Sequence, residues 1–121
     1  VIADIRKTEK LPVVLGGDLN ETLNTDVLSP LRDAPDLFTL TTDDAAENAL
    51  SYIGPSHRSL IDHIVVSNDV HMSPISGDDA AIVRLDKSMT DFTRDVSDHV
   101  PLVIRIVSRD APMQVDGGGN T

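Results

Sequence analysis

Oxygen-bearing side chains follow a short apolar run near the start of the chain, in the stretch VVLGGDLN at residues 13–20. Asp18 and Asn20 lie two positions apart, and residues i and i+2 of an extended backbone point to the same side. A carboxylate and an amide oxygen on one side can hold Mg²⁺ or contact a phosphate oxygen. Gly-Gly-Asp-x-Asn is also good turn chemistry, so this stretch alone predicts either a cation site or a turn.

A second acid, Asp62, interrupts the apolar run SLIDHIVVS at residues 59–67. A carboxylate in such a run is costly to bury unless it has a partner, and a histidine is the natural one. The alternatives are that Asp62 faces solvent at a strand edge or pairs with Arg58. His63 follows it and, by strand alternation, points away from Asp62, which predicts a structural or rim position.

A third acidic position, Asp98, comes with His99 directly before the run VPLVIRI at residues 100–106. An acid that orients one imidazole nitrogen leaves the other free to move a proton or to donate to a phosphate. The alternative is that Ser97-Asp98 caps a turn and that His99 packs in the core. His71 has no such context and is predicted to be a surface loop residue.

The elements that must position these residues are mainly strands. Apolar runs between turn residues predict strands at residues 12–16, 36–42, 51–53, 59–67, 80–85 and 99–107. Residues 1–9 resemble the end of an amphipathic helix, and a short helix is predicted around residues 27–33. With little helix in the second half, the pattern favours a mainly antiparallel or mixed sheet.

The composition excludes several classes of function. The 121 residues are one small domain's worth and contain no cysteine, so disulfides, thiolate zinc sites and cysteine nucleophiles are excluded. Ten basic and twenty acidic residues give a net charge of −10 without a basic stripe, and Phe38, Tyr52 and Phe92 are the only aromatic residues. This argues against a base-stacking nucleic-acid platform. No apolar stretch is long enough to span a bilayer.

Three motifs in one order, GGDLN (16–20), LIDHIVVS (60–67) and SDHVPLVI (97–104), resemble the endonuclease/exonuclease/phosphatase superfamily. That superfamily includes DNase I-like nucleases, abasic-site endonucleases, inositol polyphosphate phosphatases and bacterial sphingomyelinases. The resemblance implies an α/β fold, a four-layer sandwich of two similar halves. The chain matches the C-terminal half over residues 1–110, and residues 111–121 are expected to be a flexible polar, Gly-rich tail.

The resemblance also implies roles for the five motif residues. Asp18 matches the aspartate that orients the attacking water, and Asn20 the asparagine that contacts the scissile phosphate and fixes Asp18. Asp62 matches the acid that pairs with the motif histidine. His99 matches this histidine, which binds or protonates a phosphate oxygen. Asp98 matches an acid near the metal, so Asp98 and Asp18 are the expected metal ligands.

The function implied is divalent-metal-dependent hydrolysis of phosphate esters, most of all phosphodiester cleavage of the nuclease type. Mg²⁺ is the expected cofactor, with Mn²⁺ or Ca²⁺ as alternatives. Substrates of the superfamily include nucleic acids, phospholipids and inositol phosphates. Arg58, beside His57 in the loop before Asp62, could reach the substrate phosphate, although an ordinary solvated turn is the simpler interpretation. The turn order around Asp62 resembles secreted bacterial nucleases, so a soluble, secreted bacterial protein is expected.

Other readings stay open. The chain could be a phosphatase or sphingomyelinase-type member, a degenerate noncatalytic β-rich interaction module, or an acidic Ca²⁺-binding surface module. In the superfamily the first half of the domain carries a metal-binding glutamate and a second acid–histidine pair, and no residue of this chain is expected to replace them. The chain alone is therefore expected to bind Mg²⁺ weakly and to hydrolyse little. An exposed apolar face is expected to pair with the missing half or with a second copy.

Overall fold

A three-stranded antiparallel sheet in the order β1-β5-β2 is the centre of the structure, a computed structural model that describes residues 2–9, 11–41, 49–73, 75 and 79–107. Two-stranded antiparallel ribbons join β3 to β4 and β6 to β7. The strands are β1 (Val14–Asp18), β2 (Leu37–Thr39), β3 (Tyr52–Ile53), β4 (Arg58–Ser59), β5 (Asp62–Ser67), β6 (Ala81–Ile82) and β7 (Leu102–Val103). The helices are α1 (Ile2–Glu9), α2 (Ser29–Arg32) and α3 (Phe92–Asp95), with 3₁₀ turns at Asp26–Leu28 and Leu85–Lys87.

The predicted α/β class with antiparallel strands and few helices is confirmed, since every strand pairing among the described residues is antiparallel. The central strand β5 is the most deeply buried strand among the described residues, with β1 and β2 paired along its two edges. Its His63, Val65 and Ser67 point to one side and are each 1% exposed. Its Asp62 lies directly opposite Asp18 of β1 in the pairing register, so the two motif carboxylates meet at one end of the sheet.

The prediction of one long strand over residues 99–107 was wrong. Only Leu102–Val103 form a strand there, flanked by isolated bridges at His99 and Ile106. Pro101 has no N–H to donate to a ladder, which confines regular pairing to short pieces on either side of it. The predicted strand at 80–85 is likewise shortened to Ala81–Ile82, because the 3₁₀ turn begins at Leu85.

A small hydrophobic cluster lies beneath the segment that carries His99. Ile53, Phe92 and Val100 are each 3–4% exposed and pack together, with Leu50, Ile82 and Leu85 around them. Val100 follows His99 in the chain and Ile53 follows Tyr52. The cluster therefore anchors the backbone on both sides of the His99 segment, and side-chain burial there fixes where the imidazole emerges.

The face of the central sheet that carries Asp18 and Asp62 is apolar at its far end. By alternation Val14 and Phe38 share that face, and both pair with Val66 of β5. Val14 is 45% and Phe38 54% exposed, whereas Val66 is buried beneath them. Val14 and Phe38 are thus exposed apolar side chains on this face. Its pairing with a missing half-domain or a second copy stays a prediction, as does the division into residues 1–110 and a tail, since residues 108–121 lie outside the described part.

Among the described residues, none of the helices has the length and the apolar run that a bilayer crossing requires. The predicted helix at residues 1–9 is present as Ile2–Glu9. Arg6 of this helix donates to Asp69 just beyond the end of β5, at 2.8 Å, so α1 is attached to the central strand.

The two phenylalanines make a matched test of this core. Phe92→Ala should lower the free energy of unfolding by about 3–5 kcal/mol, because it removes a fully buried ring and leaves a cavity. Phe38→Ala should cost roughly 1 kcal/mol or less, because more than half of its ring is already in water. Urea denaturation measures both values. Equal losses in the two variants would show that the face around Phe38 is covered in solution.

Candidate active site

A hydrogen bond between His99 and Asp62 forms the centre of the candidate site. The His99 Nδ1 atom lies 2.7 Å from Asp62 Oδ2, across 37 positions of sequence. Asp62 opens β5, and His99 lies in an isolated bridge opposite Tyr52, so the bond joins two different sheet segments. Since a carboxylate only accepts, the imidazole carries its hydrogen on Nδ1. The predicted acid–histidine pair is present.

The Asp18 carboxylate lies at the end of β1, directly across the strand pair from Asp62. Its Oδ1 accepts a 2.8 Å hydrogen bond from the backbone N–H of Asn20, an Asx turn. Asn20 has a φ of 58°, in the left-handed region that asparagine tolerates. The expectation that extended backbone aligns the two side chains was therefore wrong, because the chain turns at Asn20. What fixes Asp18 is the main chain of Asn20, and the Asn20 side chain is exposed.

The second imidazole nitrogen of His99 faces acidic side chains. Nε2 lies 3.9 Å from Asp18 Oδ2 and 3.9 Å from Asp98 Oδ1, beyond direct hydrogen-bond distance. Ligand atoms of Asp18, Asp62 and His99 all lie within 4.8 Å of one another. Asp18 and Asp98 side chains are 48% and 54% exposed, and His99 30%. The structure thus gathers Asp18, Asp62, Asp98 and His99 at one water-accessible edge.

This acidic surrounding changes the protonation of the imidazole. The hydrogen bond to Asp62 is the largest cause that raises the pKa of His99 above its ordinary value of 6.5, and the negative charges of Asp62, Asp18 and Asp98 add to it. Partial burial opposes the shift by disfavouring the charged ring. A larger share of His99 is consequently protonated near neutral pH than of a free histidine.

Tyr52 is a neighbour of the site that sequence reasoning missed. Its ring centroid lies 5.1 Å from that of His99 and 5.0 Å from that of His57, at tilted angles within the usual range for aromatic contacts. A Cβ atom added at Gly54 would overlap the Tyr52 hydroxyl, so a glycine is needed there for the ring to adopt this position. In the sequence, the stretch SYI at residues 51–53 predicted only a strand, and no spacing of residues linked Tyr52 to His99.

Arg58, His63 and His71 are not among the residues that cluster around His99. Arg58 is exposed on β4 opposite Ile53 and, among the described residues, makes no hydrogen bond with the clustered acids or His99. Its predicted contact with substrate stays a prediction. His63 is structural, as expected: its Nε2–H donates to the Glu21 carbonyl and its Nδ1 bonds the Thr41 hydroxyl, both at 2.7 Å. His71 is exposed.

A family model described as the endonuclease/exonuclease/phosphatase family matches residues 1–99. The chain belongs to this family. The match spans most of the chain and includes all five motif residues, from Asp18 to His99. The comparisons with curated proteins and with solved structures gave no match. The membership of this family indicates a hydrolase that acts on phosphate esters, and the clustered carboxylates and imidazole could bind a divalent metal.

The Asp62→Asn substitution tests how the charge of Asp62 affects the pKa of His99. Asp62→Asn retains the shape but removes the charge, so the pKa of His99 should fall towards 6.5, as followed by NMR titration of the imidazole protons in chelator. Because the bond raises the folded-state pKa, its stabilising contribution is present below about pH 6.5 and is lost as the pH rises through the raised value. The stability difference between wild type and variant should shrink over that interval.

Asp98→Asn is the control for that titration, since the charge of Asp98 is the smallest of the named causes. It should lower the pKa of His99 less than Asp62→Asn does. An unchanged His99 titration in Asp62→Asn would contradict the assigned hydrogen bond.

Proposed function

We propose that this chain carries the hydrolytic site of a divalent-metal-dependent phosphodiesterase of the nuclease type. The observation that supports this best is the arrangement around one imidazole. Its Nδ1–H is bound to Asp62, and its Nε2 faces the water-accessible carboxylates of Asp18 and Asp98. Together with the family membership, this set matches what attack on a phosphate ester requires.

His99 is proposed to stabilise charge on the phosphate. The Asp62 bond holds the ring in one tautomer and favours its protonated form, so Nε2 can donate a hydrogen bond to a nonbridging or leaving oxygen as charge develops. The ring is 30% exposed, which leaves Nε2 open to a substrate that approaches from the solvent side. Asp62 acts through His99, since its Oδ2 is already used by the Nδ1–H.

Asp18 is proposed to orient the attacking water. One of its oxygens, Oδ1, is held by the backbone N–H of Asn20, so the carboxylate has a defined orientation. The other, Oδ2, lies 3.9 Å from His99 Nε2 and is therefore available to accept from a water between them. The Asn20 side chain, exposed just beyond the turn, is proposed to contact the scissile phosphate.

The donor set fits a hard divalent cation. Asp18 and Asp98 each have an exposed carboxylate oxygen 3.9 Å from His99 Nε2, and Mg²⁺ is typically held by one or two carboxylates with water completing its shell. These two residues would hold the ion, with Mg²⁺ the first choice and Mn²⁺ or Ca²⁺ as alternatives. When bound, the ion would supply positive charge that offsets the negative charge of the phosphate.

A noncatalytic interaction module is the main alternative, and the geometry disfavours it. A chain that only binds a partner has no need to bring Asp18, Asp62 and His99 within 4.8 Å of one another.

The proposed substrate is a phosphodiester. Phosphate monoesters, phospholipids and inositol phosphates are the alternative substrates. The net charge of −10 opposes a polyanion, so a cation at the acidic edge should matter for any such substrate. Secretion from a bacterium stays an expectation.

Manganese should locate the cation site in the 121-residue chain, even if binding is weak. Mn²⁺ broadens NMR signals of nearby nuclei, so signals of Asp18, Asp98 and His99 should broaden first. Asp18→Asn should lower the affinity on the order of tenfold or more. Asp26→Asn, which removes an exposed acid in a 3₁₀ turn, should leave it unchanged. Uniform broadening over all acidic residues would contradict a defined site.

Hydrolysis is best assayed in the longest natural polypeptide that contains residues 1–121, with bis(p-nitrophenyl) phosphate and its monoester. We expect chelator-sensitive turnover that favours the diester. His99→Ala and Asp18→Asn should each lower kcat on the order of 10²-fold or more, because each removes a group that acts on the reacting atoms. His71→Ala is the matched control, since this exposed histidine lies apart from the cluster. Variants of His99 and Asp18 that retain the wild-type rate would refute the proposal.

A further inference from the structure

The Ser51 side chain holds the backbone at Asp62. Ser51 is completely buried, with 0% of its surface exposed. Its Oγ accepts two hydrogen bonds, each of 3.0 Å, from the backbone N–H groups of Ile61 and Asp62. These two groups lie where β5 begins, so the hydroxyl oxygen sets the position of the strand end from which the Asp62 carboxylate projects.

The main chain around Ser51 holds the other partner of the pair. The Val100 N–H donates to the Ser51 carbonyl at 2.8 Å, and the Ile53 N–H donates to the Asp98 carbonyl at 2.8 Å. These bonds flank the bridge that sets Tyr52 opposite His99. The His99 segment is therefore paired with residues 51–53, and its backbone position follows that of Ser51.

The backbone segments of Asp62 and His99 are thus both hydrogen-bonded to Ser51. Asp62 pairs with β1 in the central sheet, whereas His99 lies outside that sheet, and the short bonds of Ser51 connect the two segments. The 2.7 Å distance from Nδ1 to Oδ2 depends on both backbones being set together, since a hydrogen bond weakens quickly with displacement. The Tyr52 ring against the imidazole adds a steric limit on the same side.

We propose that Ser51 is a positioning residue, whose hydroxyl aligns the Asp62 carboxylate with the His99 imidazole. Its importance for hydrolysis rests on the proposed function, but the alignment itself can be observed in the metal-free chain. Because Ser51 is completely buried, it acts through the pair and not on the substrate. Loss of its hydroxyl should misplace the Asp62 backbone and leave two buried N–H groups without an acceptor.

Ser67 provides a matched control on the same strand. It is 1% exposed, and its Oγ accepts a 2.8 Å hydrogen bond from the Val13 N–H. It therefore holds β5 through the same kind of bond as Ser51 does, but at the end farthest from Asp62. Ser67→Ala removes an equally buried hydroxyl, so it separates a general loss of stability from a loss of alignment.

The test is the NMR signal of the His99 Nδ1–H at fixed pH in chelator, compared in wild type, Ser51→Ala and Ser67→Ala. The wild type should show a downfield imidazole N–H resonance from the bond to Asp62. In Ser51→Ala this signal should shift upfield or vanish by exchange while the amide spectrum stays dispersed. In Ser67→Ala it should stay in place. An unchanged signal in Ser51→Ala, or an equal change in both variants, would overturn the proposal.

A second variant covers the case in which Ser51→Ala fails to fold. Ser51→Cys fills the same space with a thiol that is a weaker acceptor, so it should shift the Nδ1–H signal in the same direction by a smaller amount. An unshifted signal in a folded Ser51→Cys would count against the role of Ser51.

The rate of hydrolysis tests whether the alignment by Ser51 matters for the proposed function. In the polypeptide assayed for hydrolysis, Ser51→Ala should lower kcat by about tenfold to a hundredfold with little change in KM, because misalignment acts on the chemical step. Ser67→Ala should leave kcat near the wild-type value. If the wild type shows no turnover, the proposed function fails, while the Nδ1–H signal still decides whether Ser51 aligns the pair.

Discussion

The hydrogen bond from His99 Nδ1 to Asp62 Oδ2 is the contact on which the rest of the site depends. It selects the imidazole tautomer, raises the pKa of the ring and leaves Nε2 directed at the remaining carboxylates. The bond joins a residue of the central sheet to one in an isolated bridge outside it, so neither local sequence nor a single strand pairing can produce it. The hydrophobic cluster of Ile53, Phe92 and Val100 packs residues 51–53 against the His99 segment, and the Ser51 hydroxyl connects them to Asp62. Apolar packing and buried hydrogen bonds thus bring the two distant polar groups together.

The residue types at the three motifs each left alternatives open, and the family resemblance predicted which side chains would meet. Asp62 was expected to need a partner because a lone carboxylate is costly within an apolar run, and His99 is that partner. The resemblance assigned Asp18 to the same site, and the strand register sets it directly opposite Asp62. The reason offered for Asn20 was wrong, because a left-handed residue ends the strand before alternation can apply. Gly-Gly-Asp-x-Asn predicted either a cation site or a turn, and it forms a turn whose backbone orients the Asp18 carboxylate.

The interrupted strand after His99 and the contacts of Ser51 and Tyr52 were not predicted from the sequence. The apolar residues from 99 to 107 resemble one strand, and the proline among them was the signal that pairing would be interrupted. Ser51 and Tyr52 occur in a stretch whose composition shows only a short strand. Their contacts with Asp62 and His99 arise from tertiary packing, which periodicity does not encode. Family resemblance supplied roles for the motif residues but not for these supporting ones.

The register that sets Asp18 opposite Asp62 also has an energetic consequence for the chain. Like charges at directly opposed strand positions disfavour pairing, so the sheet is locally frustrated at the end where its carboxylates converge. Natural sequences tolerate such conflicts at sites under functional selection and compensate for them elsewhere. Neutralising Asp18 would remove this repulsion together with the charge on which the proposed chemistry depends, whereas Asp62 also stabilises the fold through its bond to His99. At Asp18, selection for thermal stability and selection for turnover would therefore favour different residues.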